Sequence, residues 1–295
     1  MKAKKQTLST PIQYTEETLQ KLHEYLYSIL GEVVRVCDKL QIPYFLVGGS
    51  ALGAYFWDGI IPWDDDVDVG FTRDNYNRFL KEAPAELGEQ YFLQTMESDP
   101  HYPNVLSKLR LKNTLFVEKY YEGFDMHHGI FVDIIPFDKV PSDKEKEREQ
   151  RNWMVRIRYW LVGKEMFKWA KPDTCIMGYY TRKVGFLRCL LSFLVVHLVP
   201  RRFLVKKILR VQTQYNNCED CTRYRVIWTK NDYMLPEWLA NLKEAKFGPL
   251  MVKVPGDLET YLNMHYPQGL QKWLPEDQRP THGPVALSFD TTADS

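Results

Sequence analysis

Apolar residues recur at helical spacing in the first part of the chain. Over residues 15–40 they stand three or four positions apart, which predicts an amphipathic helix capped by Thr15. The short apolar run at 44–47 predicts a buried strand, and it ends at a Gly-Gly pair. A brief helical pattern at 50–57 follows, and the alternation at 66–71 predicts a second strand.

Helical and strand patterns continue to alternate from residue 74 to residue 135. They predict a helix at 74–83 and strands at 91–96, 104–111, 115–118 and 130–135, the last ended by Pro136. This order of helices and strands indicates a mixed α/β fold, with a small mixed sheet flanked by helices.

The pattern changes after Pro141, where a charged helix start leads into an aromatic-rich helix and further helical patterns. A strand at 251–254 and a helix at 257–265 follow, and the Pro-, Gly- and polar-rich tail from Pro267 is predicted to be irregular. We predict a catalytic core at 15–141, a mainly helical insertion or appendage at 142–247, and a C-terminal segment at 248–295 that packs back on the core.

Composition narrows the class of protein. The 295 residues are 44% hydrophobic and 26% charged, as in ordinary globular proteins, and a net charge of +1 argues against a general nucleic-acid binder. The N-terminus is basic but has no apolar segment after it, and no apolar run reaches the roughly 20 residues that span a bilayer. Together with the five cysteines, an odd number, this predicts reduced thiols and a cytoplasmic location.

An aspartate cluster opens the second predicted strand. Because side chains alternate along a strand, Asp66 and Asp68 share one face while Val67 and Val69 are buried on the other. Two carboxylates on one face repel each other unless a cation lies between them, and Mg²⁺ is the usual solution. The alternative is an acidic surface turn. Asp64 and Asp65, in the same cluster, are predicted to be supporting residues.

A second carboxylate stands within the apolar run at 130–135. Asp133 is costly to bury there unless a metal or a partner binds it. The alternative is a buried aspartate that backbone donors or an arginine satisfy. Asp138 is predicted to lie in a loop beyond Pro136 and is the weaker candidate.

The Gly48-Gly49-Ser50 turn ends the first strand and opens a helix. Glycine lets a phosphate approach the backbone, and the N–H groups of a helix N-terminus attract anions. This turn is a weak signal alone, but an Asp-x-Asp strand and a later strand aspartate follow it. Together these are the parts of a nucleotidyltransferase-type site, in which a hydroxyl attacks phosphorus beside one or two metal ions.

The segment GGSALGAYFWDGIIPWDDDVDVGFTRDNYNRF closely resembles the signature of the LicD family. The later segments SKLRLKNT and HGIFVDIIPFD are also similar to that family, as is a late Arg-x-x-His formed by Arg279 and His282. The resemblance extends from about Leu22 to His282 and is loose in the helical middle.

This resemblance implies a nucleotidyltransferase fold used for phosphotransfer. Known members move phosphocholine from CDP-choline onto sugars of teichoic acid or lipopolysaccharide, and fukutin-related proteins move ribitol phosphate from CDP-ribitol. We therefore expect CMP to leave and a sugar hydroxyl of a glycan acceptor, built on a lipid carrier, to attack. The alternatives are transfer of ribitol or glycerol phosphate from its CDP form, or a true nucleotidyltransferase that uses an NTP.

The resemblance also implies roles for individual residues. Asp66, Asp68 and Asp133 would bind one or two Mg²⁺ ions, with Mn²⁺ as a substitute, and Asp133 would also act as base for the attacking hydroxyl. The glycine turn with Ser50 would hold the diphosphate. Phe56 stands near a position where many members have arginine, so an arginine contact to phosphate is in doubt.

Lys108 and Arg110 are predicted to supply that missing charge. They alternate onto one face of the strand at 104–111, and the alternative is a solvated strand face. His128 is a further candidate for contact with substrate, although a turn histidine with no role fits equally well. Cys218-x-x-Cys221 has the spacing of one of the two ligand pairs of a zinc site, but no second pair accompanies it.

Residues 174–218 contain no acidic residue, and basic residues flank an apolar core at 190–199. This combination predicts peripheral contact of segment 182–210 with an anionic membrane, at the inner face of the cytoplasmic membrane. The alternative is a helix that is buried in the helical region, with its basic residues facing solvent or phosphate.

Overall fold

A computed structural model describes residues 9–169, 186–226, 232–279 and 283–292 of the chain. It has the predicted mixed α/β fold. The helices are α1 (Glu16–Leu40), α2 (Gly48–Trp57), α3 (Arg73–Glu82), α4 (Lys144–Trp169), α5 (Phe186–Leu198), α6 (Arg201–Thr213), α7 (Pro236–Ala240) and α8 (Leu258–His265). The strands are β1 (Phe45–Leu46), β2 (Asp68–Thr72), β3 (Tyr91–Gln94), β4 (Ser107–Leu111), β5 (Leu115–Glu118), β6 (Phe131–Val140), β7 (Arg223–Arg225), β8 (Tyr233–Met234), β9 (Lys243–Phe247), β10 (Leu250–Val254) and β11 (Pro284–Ser288).

The main sheet has the strand order β1-β2-β6-β4-β3, and β7 and β8 extend it from the end of β6. Strands β2 and β6 are parallel, whereas β1 and β4 are antiparallel to their neighbours. Two smaller antiparallel pairs, β9 with β10 and β5 with β11, lie outside this sheet. Strands β2 and β6 are neighbours within this sheet, and they carry the predicted site residues Asp68 and Asp133.

Helix α1 supplies one wall of the main core. The Thr15 side chain accepts a hydrogen bond from the Thr18 N–H at 3.1 Å, as the sequence predicts for the N-cap. One face of the helix is completely buried with the strand residues, in a stripe at helical spacing. That stripe consists of Leu22, Leu26, Ile29, Leu30, Val33 and Val36.

The helices that follow β6 have a second apolar cluster. Met154, Ile157 and Leu161 of α4 pack with Leu204 and Ile208 of α6 in that cluster. The cluster also contains Met96 and Val105 from the preceding region, so the helices pack onto that region. The three-part division of the chain stays a prediction.

Strand β6 continues through Pro136, so the predicted end of the strand at that residue is wrong. Pro136 pairs with Phe71 of β2 on one side. The last β4 pair is at Ile134 and the first β7 pair is at Asp138. Proline has no N–H to donate, and it is tolerated here because only one neighbouring strand pairs with β6 at this position.

Asp138 lies in β6 rather than in the predicted loop, and it is buried. Its two carboxylate oxygens accept hydrogen bonds from Arg73 Nε at 2.8 Å and Arg73 Nη2 at 2.7 Å. Asn216 Nδ2 also donates to it, at 2.6 Å. This bidentate pair ties the start of α3 to β6, so Asp138 has a structural role.

The C-terminal tail contains β11, although the sequence pattern predicts an irregular segment from Pro267. Strand β11 pairs with β5, which lies far away in the sequence. Its five residues carry too short a pattern to reveal such a long-range pairing. The short elements α7, β7, β8 and β9 were missed for the same reason.

Cys218 and Cys221 form a disulfide, so the prediction of reduced thiols is wrong for this pair. The disulfide also removes both thiolates that a zinc ion would need. Cys37 is a buried free cysteine, as predicted. Cys175 lies outside the described residues.

Within the described ranges, the helices are each too short or too polar to cross a bilayer.

Asp138→Asn should reduce the free energy of unfolding by about 3–5 kcal/mol, because it leaves the Arg73 guanidinium buried without its counter-charge. Urea denaturation measures this loss. Glu82→Gln is the matched control, since it removes an exposed i,i+4 pair with Arg78 on the same helix and should cost less than about 1 kcal/mol. Equal losses in the two variants would contradict the structural role of Asp138.

Candidate functional site

Three polar residues form a row across adjacent strands of the main sheet. Asp68 of β2 pairs directly with Asp133 of the parallel strand β6. On the other side of β6, Asp133 pairs with Lys108 of β4. Directly paired residues project from the same face of a sheet, so the three side chains lie side by side.

Asp66 completes the acidic group from the segment just before β2. One carboxylate oxygen from each of Asp66, Asp68 and Asp133 lies within 4.8 Å of the other two. All three aspartates are half-buried, whereas Val67 and Val69 are completely buried on the opposite face. The Asp133 N–H donates to the Val67 carbonyl at 2.9 Å, which extends the β2–β6 pairing toward Asp66. The structure thus brings together the three aspartates that the sequence singles out.

Lys108 provides the positive charge next to this group. Its Nζ lies 2.9 Å from Asp133 Oδ1 and 3.3 Å from Glu118 Oε1. Burial alone would lower the pKa of Lys108, but the charges of Asp133 and Glu118 hold that pKa above its ordinary value. Burial raises the pKa of Asp133, and Lys108 opposes that shift. Lys108 therefore stabilises the Asp133 carboxylate, and its contact with substrate stays a prediction.

Arg110 is completely buried, which rules out the predicted alternative of a solvated strand face. Its guanidinium donates to Gln94, to the Gly129 carbonyl and to Glu118. A contact with substrate would require these bonds to break, so the structure does not favour the predicted substrate role. Arg110 is better described as a partner of Glu118, which in turn holds Lys108.

The glycine turn lies directly beside the acidic group. Gly48 has φ of +53°, a left-handed conformation that favours glycine. A Cβ added at Gly49 would lie 2.7 Å from Asp64 Oδ2, and one added at Gly48 would lie 3.5 Å from Asp68 Oδ2. Both glycines begin α2, whose first N–H groups have no acceptor within the helix. This arrangement has the features of an anion site next to carboxylates.

The three carboxylates fit a hard divalent cation. Oxygen is the ligand atom that Mg²⁺ prefers, and the trio supplies one oxygen from each of three residues. Asp133 Oδ1 is buried, and among the described residues its neighbour is the charged Lys108 ammonium at 2.9 Å rather than a neutral hydrogen-bond donor. A metal ion bound by Asp66, Asp68 and Asp133 would satisfy that oxygen.

Comparison with known proteins assigns the domain. Residues 41–171 match the family described as LicD/FKTN/FKRP, nucleotidyltransferase domain. Residues 41–171 are therefore similar to the nucleotidyltransferase domain of that family. This matched segment contains the glycine turn, all three aspartates and Lys108.

Three curated relatives are similar to this chain. The lipopolysaccharide cholinephosphotransferase LicD of Haemophilus influenzae is 24% identical over 274 residues, which cover 90% of this chain and 96% of the relative. An uncharacterized protein of Rickettsia typhi is 34% identical over 20% of this chain and 19% of its own length. Another, of Rickettsia prowazekii, is 36% identical over 17% of this chain and 19% of its own length.

Ser50 has a different contact from the one predicted. Its hydroxyl oxygen accepts a hydrogen bond from the Asp68 N–H at 2.8 Å, and the side chain is buried. Ser50 therefore connects the first turn of α2 to the strand that carries Asp68. A direct contact with the diphosphate stays a prediction.

Asp65 is a supporting residue, as predicted. Its buried carboxylate accepts hydrogen bonds from the Tyr14 hydroxyl at 2.8 Å and the Gly283 N–H at 3.0 Å. A second acidic trio, Asp64 with Asp65 and Asp66, also has ligand atoms within 4.8 Å of one another. We favour the trio with Asp133, because the Asp65 carboxylate already accepts hydrogen bonds from Tyr14 and Gly283.

His128 lies before β6, and its position does not decide its role. Its Nε2 donates to the Phe124 carbonyl at 2.9 Å, while its buried Nδ1 has no hydrogen-bond partner among the described residues. Burial lowers the pKa of His128, which favours a neutral ring. A contact with substrate stays a prediction, and His282 lies outside the described residues.

Two tyrosines near the site were missed by the sequence patterns. The Tyr261 hydroxyl accepts a hydrogen bond from the Gly48 N–H at 2.9 Å and donates to Asp232 at 2.7 Å. Burial raises the pKa of Tyr266, and the charges of Asp64 and Asp68 raise it further. Both residues come from the end of the chain, and only their helical spacing is visible in the sequence.

Tyr261→Phe should lower the free energy of unfolding by about 1–3 kcal/mol, because the Gly48 N–H and the Asp232 carboxylate both lose a buried partner. Urea denaturation measures this loss. Tyr55→Phe is the control on an exposed side chain of α2, and it should change stability by less than about 0.5 kcal/mol. A neutral Tyr261→Phe would show that the Tyr261 hydroxyl does not support the glycine turn.

Proposed function

We propose that this chain transfers phosphocholine from CDP-choline to a sugar hydroxyl of a cell-surface glycan precursor. The direct pairing of Asp68 with Asp133, with Asp66 beside them, is the observation that carries the proposal. The relative from Haemophilus influenzae is a lipopolysaccharide cholinephosphotransferase, and that similarity covers nearly the whole of both chains. The acceptor would be a lipid-linked precursor of lipopolysaccharide or teichoic acid, met at the cytoplasmic face of the membrane.

The proposed reaction is a displacement at phosphorus. The oxygen of the sugar hydroxyl forms a bond to the phosphorus that carries choline, and the bond from that phosphorus to CMP breaks. The hydroxyl proton passes to Asp133, whose pKa burial raises above its ordinary value. CMP leaves with the electron pair of the broken bond.

Each part of the site has a role in this reaction. The Gly49 N–H, in the first turn of α2, would bind a diphosphate oxygen, since the Gly48 N–H already donates to the Tyr261 hydroxyl. Asp66, Asp68 and Asp133 would hold Mg²⁺, which supplies Lewis-acid stabilisation of charge on the transferring group. Lys108 would keep Asp133 ionised and oriented through its 2.9 Å contact.

Two other donor classes use the same arrangement of residues. Ribitol phosphate or glycerol phosphate could be transferred from a CDP form, and that change would alter the donor alcohol but not the chemistry. A true nucleotidyltransferase would instead release pyrophosphate from an NTP. CMP release and pyrophosphate release, measured with each donor, distinguish these reactions.

Replacing Asp66, Asp68 or Asp133 by Asn should lower Mg²⁺-dependent release of CMP from CDP-choline on the order of 10³-fold, because a bound metal contributes several kcal/mol of transition-state stabilisation. The measurement follows CMP with a lipid-linked or oligosaccharide acceptor present. EDTA should abolish release by the unmodified protein, and added Mg²⁺ should restore it.

Asp74→Asn is the matched control, since Asp74 is exposed at the start of α3 soon after β2. It should retain normal turnover. Full activity in the three site variants would contradict the assignment of these aspartates as metal ligands. Turnover of CDP-ribitol or CDP-glycerol but not CDP-choline would mean that the donor carries a different alcohol. Pyrophosphate release from an NTP would contradict the proposed reaction and indicate a true nucleotidyltransferase.

Lys108→Met should bind Mg²⁺ at least about tenfold more tightly than the unmodified protein. The Lys108 ammonium competes with the metal for Asp133. The interaction energy of two unit charges about 4 Å apart is on the order of 4 kcal/mol near a protein surface. A thermal-shift titration with Mg²⁺ alone measures the affinity without any donor.

Lys112→Met is the control, because Lys112 follows the same strand and is exposed. Its Mg²⁺ titration should match that of the unmodified protein. Loss of Mg²⁺ binding in Lys108→Met would mean that Lys108 is needed to position Asp133 rather than competing with the metal.

A further inference from the structure

Helix α5 presents an apolar face to solvent. Leu191, Leu194 and Leu198 are 57%, 42% and 73% exposed. Their spacing of three and four residues places them on one side of the helix. Three adjacent exposed leucines are a feature that a folded core does not require.

The opposite side of α5 is attached to the rest of the helical region. Val195 and the following Val199 pack against the second apolar cluster, and Val196 is buried. Ser192 accepts a hydrogen bond from Trp160 Nε1 of α4 at 3.3 Å. The orientation of α5 is therefore fixed by α4, and the three leucines remain on the outside.

Helix α6 follows after the two-residue link Val199-Pro200, and its exposed face is basic. Leu204, Val205, Ile208 and Val211 are buried on the inner side. The outer side carries Phe203, which is 51% exposed, among four exposed cations. Those cations are Arg202, Lys206, Lys207 and Arg210.

The charge of this region has one sign. Residues 174–218 contain no Asp or Glu, so no acidic side chain within the segment neutralises the four cations of α6. Exposed leucines on one helix and exposed lysines and arginines on the next are the two components of an interfacial membrane-binding surface. We infer that the outer faces of α5 and α6 bind the surface of a bilayer that contains anionic lipid.

The same charges disfavour a second copy of the chain as the occupant. A symmetric dimer through this surface would place the same patch on both sides of the interface. The four cations of α6 would then face the same four cations of the partner, and such like-charge contacts are costly. Anionic lipid headgroups instead supply the opposite charge, and acyl chains accept the leucines.

This inference is independent of the proposed reaction, because it rests on residues outside the acidic group. It has a consequence for that reaction if both hold. A protein held at the bilayer by α5 and α6 would meet a lipid-linked acceptor by diffusion in two dimensions.

The test is flotation of the full chain with vesicles of phosphatidylcholine, with and without phosphatidylglycerol. The unmodified protein should float with the anionic vesicles at low salt, bind the neutral vesicles far less, and dissociate in high salt. Arg202→Glu/Lys206→Glu/Arg210→Glu should lower the partition coefficient at least about tenfold, since each basic residue near the surface contributes. Leu191→Ser/Leu194→Ser/Leu198→Ser should lower it at least about tenfold through lost apolar burial.

The control variants carry changes of the same kind, at fewer positions, elsewhere. Met251→Ser removes an exposed apolar residue of β10, and Lys243→Glu/Lys246→Glu reverses two exposed charges of β9. Both should bind vesicles like the unmodified protein, and circular dichroism should show that every variant is folded.

The inference is overturned if the unmodified protein does not float with anionic vesicles. It is also overturned if the α5 and α6 variants bind as well as the controls. Sedimentation velocity adds the third outcome: a dimer that the leucine variant dissociates, without vesicle binding, would assign the surface to a second copy of the chain.

Discussion

The site depends on the balance of charge in one row of side chains across the sheet. The parallel pairing of β2 with β6 places Asp68 directly beside Asp133, and Asp66 adds a third carboxylate. Such a group is stable only if positive charge accompanies it. Lys108 supplies one charge from β4, and it is itself held by Glu118, which Arg110 also contacts. A divalent cation would supply the rest, and the proposed metal site follows from the register of three strands.

The remainder of the fold keeps this row in place. Ser50 connects the glycine turn to the backbone of Asp68, and Tyr261 connects it to the C-terminal helix α8. Asp65 joins Tyr14 and Gly283, from the two ends of the chain, to the start of β2. Beyond the row, the buried pair of Arg73 with Asp138 fixes the far end of β6 against α3. These contacts explain why residues distant in sequence converge on a short acidic segment.

Local patterns in the sequence predict most helices and strands of the first 140 residues, since their periodicity and caps are local. Alternation also predicts that Asp66 and Asp68 share a face. Contacts between residues that are distant in the sequence are not visible in these local patterns. The sequence does not show that Lys108 stands opposite Asp133, that Arg110 is buried, or that Tyr261 reaches Gly48. The end of β6 was misplaced because a proline inside a strand is tolerated only where a neighbouring strand is missing, and that depends on the whole sheet.

The most direct test of the account is a crystal structure of the protein grown with Mn²⁺, with data collected at an energy where manganese scatters anomalously. The account predicts an anomalous peak bound by one oxygen from each of Asp66, Asp68 and Asp133, with the Lys108 ammonium moved away from the metal. A peak held by Asp64 and Asp65 instead, or none while Lys108 remains on Asp133, would contradict it.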